Sequence, residues 1–154
     1  MPADTPVRDV MTTDVVAFGV DDDIRTAMQT LVDRGIDGGP VLDADGQVVG
    51  VLTTGDLIVR QSKLHFPSVI VFLGTSLSFK RRDFDDDLEK VLGSSVREVM
   101  NEPPIVCRPE TTLEEAATLM HEHRISRLPV VDPDGHLAGI VSRVDLLRGA
   151  LASS

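Results

Sequence analysis

The amino-acid sequence predicts a mixed α/β protein of two like halves, each running strand, helix, strand, strand, helix. Three observations carry that reading. One segment occurs twice, without a gap, at a constant offset of 89 positions. Val7-Arg8-Asp9-Val10-Met11 returns as Val96-Arg97-Glu98-Val99-Met100, and Pro40-Val41, Asp45-Gly46, Gly50 and Asp56-Leu57 return as Pro129-Val130, Asp134-Gly135, Gly139 and Asp145-Leu146. Each copy holds one stretch of apolar residues at helical spacing. Each also places an Asp-Gly dipeptide between two short apolar segments, the pattern of a β-hairpin.

Two copies are too few for an open-ended array, which needs about three units to bury a continuous core. A repeat of about 50 residues is also marginal alone. The halves of this 154-residue chain are therefore expected to pack on each other as one pseudo-twofold domain with a central seam.

Within each copy, a helix comes first. Ile24, Ala27, Met28 and Leu31 fall at i, i+3, i+4 and i+7, and Leu113, Ala116, Ala117 and Met120 repeat the stripe. Thr111 with Glu114 has capping-box spacing, and Asp21-Asp22-Asp23 puts carboxylates at the positive end of the earlier helix, a helix start rather than a metal site. Pro40-Val41-Leu42 and Leu128-Pro129-Val130-Val131 then read as strands. Their hairpin partners are Val48-Val49-Gly50-Val51-Leu52 and Leu137-Ala138-Gly139-Ile140-Val141. Thr53-Thr54-Gly55-Asp56 and Ser142-Arg143-Val144-Asp145 look like helix entries, a hydroxyl cap with a carboxylate three residues on. Between the copies lies an insert over 61–95, with a short helix expected near Phe84 to Leu92. Its charge reversal, Lys80-Arg81-Arg82 before Asp85-Asp86-Asp87, reads as a solvated loop and helix cap.

Composition narrows the function classes. An apolar fraction of 42% and a charged fraction of 26% are those of an ordinary globular protein, with Leu, Val, Ile, Met and Phe as core in the absence of Trp and Tyr. A net charge of -10 and a pI near 4.7 argue against nonspecific binding to nucleic acid or anionic lipid, which needs a basic surface. An anionic ligand must find a local cation. Cys107 is the sole cysteine, so neither a disulfide framework nor a CxxC site can form within the chain, and a buried thiol is expected. The start Met1-Pro2-Ala3-Asp4 lacks the basic and apolar regions of a secretory signal, and the run Val69-Ile70-Val71-Phe72-Leu73 is far short of the ~20 residues that cross a bilayer. A cytoplasmic protein without a membrane partner is expected. No phosphate-binding GxxxxGK[ST] loop, GxSxG turn or HExxH pair is present, and His65, His121, His123 and His136 have no metal spacing, so no catalytic or metal site is assigned.

The ordered set of Val-Arg-Asp-Val-Met, the alanine-containing helix, Ile-Ser-Arg-Leu-Pro-Val-Val-Asp before the Asp-Gly turn, and Gly-Ile-Val-Ser-Arg-Val-Asp-Leu resembles the cystathionine β-synthase (CBS) domain in tandem, a Bateman module of the stand-alone prokaryotic type. The resemblance covers 7–60 as the first repeat and 96–150 as the second. It implies two β-α-β-β-α units packed through their sheets, with two clefts related by the pseudo-twofold axis. Such clefts commonly take AMP, ADP, ATP or S-adenosylmethionine, so a regulatory sensor that signals to a partner protein is implied, with no cofactor required for chemistry and no enzyme activity. A homodimer is implied too, with Phe66, Phe72 and Phe79 of the insert as possible contacts. The alternative is a dimeric scaffold that binds no ligand.

Carried over residue by residue, the resemblance implies that Asp145 and Asp56 hold ribose hydroxyls and that Ser142 and Thr53 lie near phosphates. Arg127 matches a position that is often basic, whereas the first copy has Gly38 and Gly39 there. Ile105 and Val106, and Val15 and Val16, are the candidates to grip adenine. Unequal pockets are expected, with the more highly charged ligand beside Arg127.

Overall fold

The computed structural model describes residues 4–55 and 93–152. The expected insert helix, its charge reversal and phenylalanines, and Asp56 lie outside the described residues. The described chain forms a 3-10 turn at Val7–Asp9, β1 (Phe18–Gly19), α1 (Ile24–Arg34), β2 (Gly38–Leu42), β3 (Val48–Thr53), α2 (Val96–Val99), α3 (Leu113–His123), β4 (Arg127–Val131), β5 (Leu137–Ser142) and α4 (Arg143–Ala152). The offset of 89 holds for elements as well as residues: α1, β2 and β3 begin 89 positions before α3, β4 and β5. The mixed α/β class is that of the sequence reading. Among the described residues, no helix is long and apolar enough to cross a membrane.

The compact units cut across the sequence repeats. One comprises residues 4–16, 43–49 and 103–152, the other 17–42, 50–55 and 93–102. In the first, the opening segment of repeat one packs on the body of repeat two. Val7 N–H donates to the Thr111 carbonyl at 2.7 Å, Leu113 N–H donates to the Thr5 carbonyl at 2.9 Å, and Thr12 and Ile140 exchange a backbone pair at 2.8 and 2.9 Å. The second unit repeats each bond at the same offset: Val96 N–H to Asp22 at 2.9 Å, Ile24 N–H to Ser94 at 2.9 Å, and Val51 with Asn101 at 3.1 and 2.9 Å. Both close approaches require glycine. A Cβ on Gly139 would stand 2.8 Å from the Thr12 carbonyl oxygen, and one on Gly50 would stand 2.9 Å from that of Asn101.

Apolar burial fixes these segments in place. In the first unit Val7, Leu128, Val130 and Val141 are fully buried with Cys107, Leu113, Ala116 and Met120 around them; each large side chain so buried contributes about 1.5–3 kcal/mol. Ala117, placed on the same stripe by its spacing, is exposed, so the buried face of α3 is narrower than expected. Cys107 is 4% exposed, and burial pushes its thiol up to about 12. The thiolate needed for nucleophilic chemistry is thus suppressed.

The acidic triplet is accounted for as a helix start. Asp23 caps α1 by accepting from Thr26 N–H at 2.6 Å, Asp22 accepts from Gly19 N–H at 2.8 Å, and Asp21 meets Arg97 at 3.2 Å on the surface. On α3 the cap is one residue later than the sequence reading placed it. Thr112 and Glu115 form the capping box, while Thr111 Oγ1 accepts from Arg108 N–H at 2.9 Å and closes the preceding turn. Both pairs have the right spacing, and the helix start at Leu113 selects between them.

The hairpin turns adopt the same design. Asp43 Oδ1 accepts from the N–H groups of Asp45 and Gln47, and Asp132 Oδ1 from those of Asp134 and His136. Gly46 and Gly135 sit at φ 83° and 87°, where glycine has no Cβ penalty.

Candidate nucleotide site

The first unit brings the second-copy candidates to one end of its small sheet. β4 and β5 pair antiparallel with Arg127 opposite Ser142. Arg143 N–H, at the entry to α4, donates back to the Ser126 carbonyl at 3.0 Å, which closes this end of the hairpin. On the other edge of β4, Cys107 bridges to Val130 in parallel. Ile105 and Val106 immediately precede that bridge, both partly buried, and Ile105 packs against the core cluster. The adenine candidates thus flank β4, while the ribose and phosphate candidates lie at the junction of β5 and α4.

That junction is closed by a reciprocal pair. Ser142 Oγ accepts from Asp145 N–H at 3.2 Å, and Asp145 Oδ2 accepts from Ser142 N–H at 2.9 Å. Two backbone donors at the helix start are thereby satisfied. Asp145 is 6% exposed and is the buried charged residue among those described. Its second oxygen, Oδ1, meets Arg148 Nη1 at 3.2 Å, one helical turn along α4. Capping therefore uses one carboxylate oxygen and leaves the other facing an exposed, charged side chain. A carboxylate offers roughly four lone-pair sites, so capping and ligand binding are compatible. The remaining backbone N–H groups of a helix start favour an anion.

The first-copy candidates are arranged differently. Thr53 ends β3 in the second unit, half-buried, whereas Val15 and Val16, which the sequence reading grouped with it, belong to the first unit with Asp145. The segment exchange is the cause. Position 38, which corresponds to Arg127, cannot carry a side chain as folded. A Cβ there would stand 2.6 Å from the Leu52 carbonyl oxygen and 3.0 Å from Thr53 Cγ2. The lost arginine is thus part of how β2 and β3 pack.

Two residues without an assigned role do have one in the structure. Gln47 Nε2 donates to the Asp134 carbonyl at 2.8 Å, and His136 Nε2–H donates to the Asp45 carbonyl at 3.0 Å, a reciprocal clasp between the two hairpin turns within the first unit. Gln47 and His136 are themselves 89 positions apart, the signal that could have paired them. No metal is assigned beside His136, since Nε2 and Asp132 Oδ1 already serve the turns.

Comparison with known proteins agrees with this architecture. The CBS domain model matches residues 7–63 and 96–152. The chain is 34% identical over 153 residues to an uncharacterized protein of Methanocaldococcus jannaschii, covering 94% of this chain and 90% of that one. It is 35% identical over 136 residues to the chloroplastic CBS domain-containing protein CBSX1 of Arabidopsis thaliana, covering 83% of this chain and 56% of that protein. Among solved structures, CBSX2 in complex with AMP matches with a TM-score of 0.74 at 30% identity, over 97% of this chain and 98% of that one.

Proposed function

Because this chain belongs to the CBS domain family and carries the domain in two copies, we propose that it is a regulatory module that binds an adenine nucleotide and relays occupancy to a partner protein. The observation that carries the reading is the geometry at the start of α4: a buried Asp145 with one oxygen bonded to Ser142 N–H and the other to Arg148, beside the end of the hairpin where Ser142 stands opposite Arg127. Asp145 accepts ribose hydroxyls, Ser142 and the α4 amides face phosphate, and Ile105 and Val106 contact the base. The AMP complex of CBSX2 supports the ligand class. Catalysis is not part of the proposal; the regulated activity resides in the partner. Ligand can shift such a module only by its differential affinity for two arrangements.

A thermal-shift screen with AMP, ADP, ATP, S-adenosylmethionine and NADH tests the reading. Ligand at a hundred times its Kd adds about 2.7 kcal/mol, hence a rise of roughly 5–11 °C for a chain of this size. No shift with any of them, on protein shown to be free of bound nucleotide, would defeat the sensor. The ligand-free scaffold would then be the better reading, which the exposed apolar stripe Val144, Leu147 and Leu151 on α4 favours as a protein contact. Where ATP or ADP shifts the melting temperature, Arg127→Ala is expected to weaken either more than uncharged adenosine. Equal losses for charged and uncharged ligands would remove the phosphate role from Arg127.

A further inference from the structure

Asp145 does not wait for a ligand with a free oxygen. Its Oδ2 is held by Ser142 N–H and its Oδ1 by the Arg148 guanidinium at 3.2 Å. The exposures are very unequal: 8% for the aspartate side chain and 71% for the arginine. The carboxylate is thus shielded while the arginine that occupies its Oδ1 is open to solvent, so a hydroxyl that bonds Oδ1 competes with the guanidinium for it. Removing a cation from a carboxylate this shielded is unfavourable unless another donor replaces it. A ribose hydroxyl is such a donor for the carboxylate. It offers nothing to the arginine.

We propose that Arg148 determines ligand charge at this site: it occupies Asp145 Oδ1 in the unliganded protein, yields that oxygen to the ribose, and then pairs with the ligand's phosphate. The inference rests on the nucleotide reading above and adds to it a competition. For adenosine, displacement costs the Asp145–Arg148 pair with no compensation. For AMP, the released guanidinium, anchored on α4 beside the ribose, finds an anion within reach of its own side chain, and planar guanidinium groups suit phosphate oxygens. Arg148 thus penalises neutral nucleosides and rewards charged ones, an effect needed in a chain of net charge -10. Arg127 on β4 and Arg143, whose Nη2 donates to the Ile125 carbonyl at 3.3 Å, are the other cations at this end of the sheet. Arg148 is the cation that meets Asp145 Oδ1, at 3.2 Å.

The test measures adenosine and AMP affinities by calorimetry at fixed salt for the intact protein and for Arg148→Gln, Arg148→Lys and Asp145→Asn. Arg148→Gln is expected to bind adenosine about threefold tighter and AMP about threefold weaker, so that the preference for AMP falls about tenfold. Arg148→Lys, which keeps the charge and nearly the reach, is expected to stay within about threefold of the parent preference. An unchanged preference in Arg148→Gln, or equal weakening of both ligands, overturns the proposal, because a framework role would not change the ratio. Failure of the underlying reading looks different. There the parent protein binds neither ligand, and the assignment to Arg148 falls with it. A parent that binds both, Asp145→Asn that binds neither and Arg148→Gln with the parent ratio would overturn Arg148 alone.

Discussion

Asp145→Ala is expected to abolish most of the melting-temperature response to AMP while leaving a folded protein. In the proposed site the carboxylate is the charged acceptor for the ribose, and loss of a charge-assisted hydrogen bond costs about 1.5–3 kcal/mol, or roughly ten- to a hundredfold in affinity. Folding suffers less. The Asp145 N–H bond to Ser142 Oγ survives the substitution, and the return bond from Ser142 N–H is worth about 1 kcal/mol as half of a cap. Asp145→Asn separates the two effects further, since its amide oxygen can still accept from Ser142 N–H while the negative charge facing Arg148 is gone. An AMP response in Asp145→Ala equal to that of the parent would remove Asp145 from the site. The cap would then be its whole role.

Gly38→Ala is expected to lower stability by about 2–3 kcal/mol, in the range of overpacked positions, and the melting temperature by about 4–12 °C. The added methyl would meet the Leu52 carbonyl oxygen at 2.6 Å. That neighbour is backbone of β3, so relief requires the hairpin to open rather than a side chain to rotate. Gly38→Arg would suffer the same clash at Cβ and is not expected to create a second arginine-bearing site. Chemical denaturation of each variant checks the point; a midpoint for Gly38→Ala equal to that of the parent would show that β2 and β3 can separate there at little cost. The inequality of the two copies is therefore set by packing as well as by charge, since Arg127 occupies a strand position that its counterpart cannot.

The repeat, the helices and the hairpins were legible in the sequence because each is written in a local pattern: apolar spacing along α1 and α3, an Asp-Gly pair between β2 and β3 and again between β4 and β5, and Ser142 three residues before Asp145. The errors were local too. Thr111 and Thr112 offer the same cap spacing, and only the position of Leu113 in the packed core decides between them. Ala117 has helical spacing but no partner to bury it.

By itself the sequence determined the mixed α/β class, the doubled frame and the cap spacing of Ser142 with Asp145. Tertiary structure alone decided which bodies the opening segments join. Val7 and Val96 sit in equivalent sequence contexts, and nothing local distinguishes packing on their own repeat from packing on the other; long-range backbone pairing and the glycines at 50 and 139 do. It also decided that the exposed Arg148 meets the oxygen of Asp145 that capping leaves over. Periodicity records which face of an element is buried, but which distant atom meets that face depends on the closure of the whole chain.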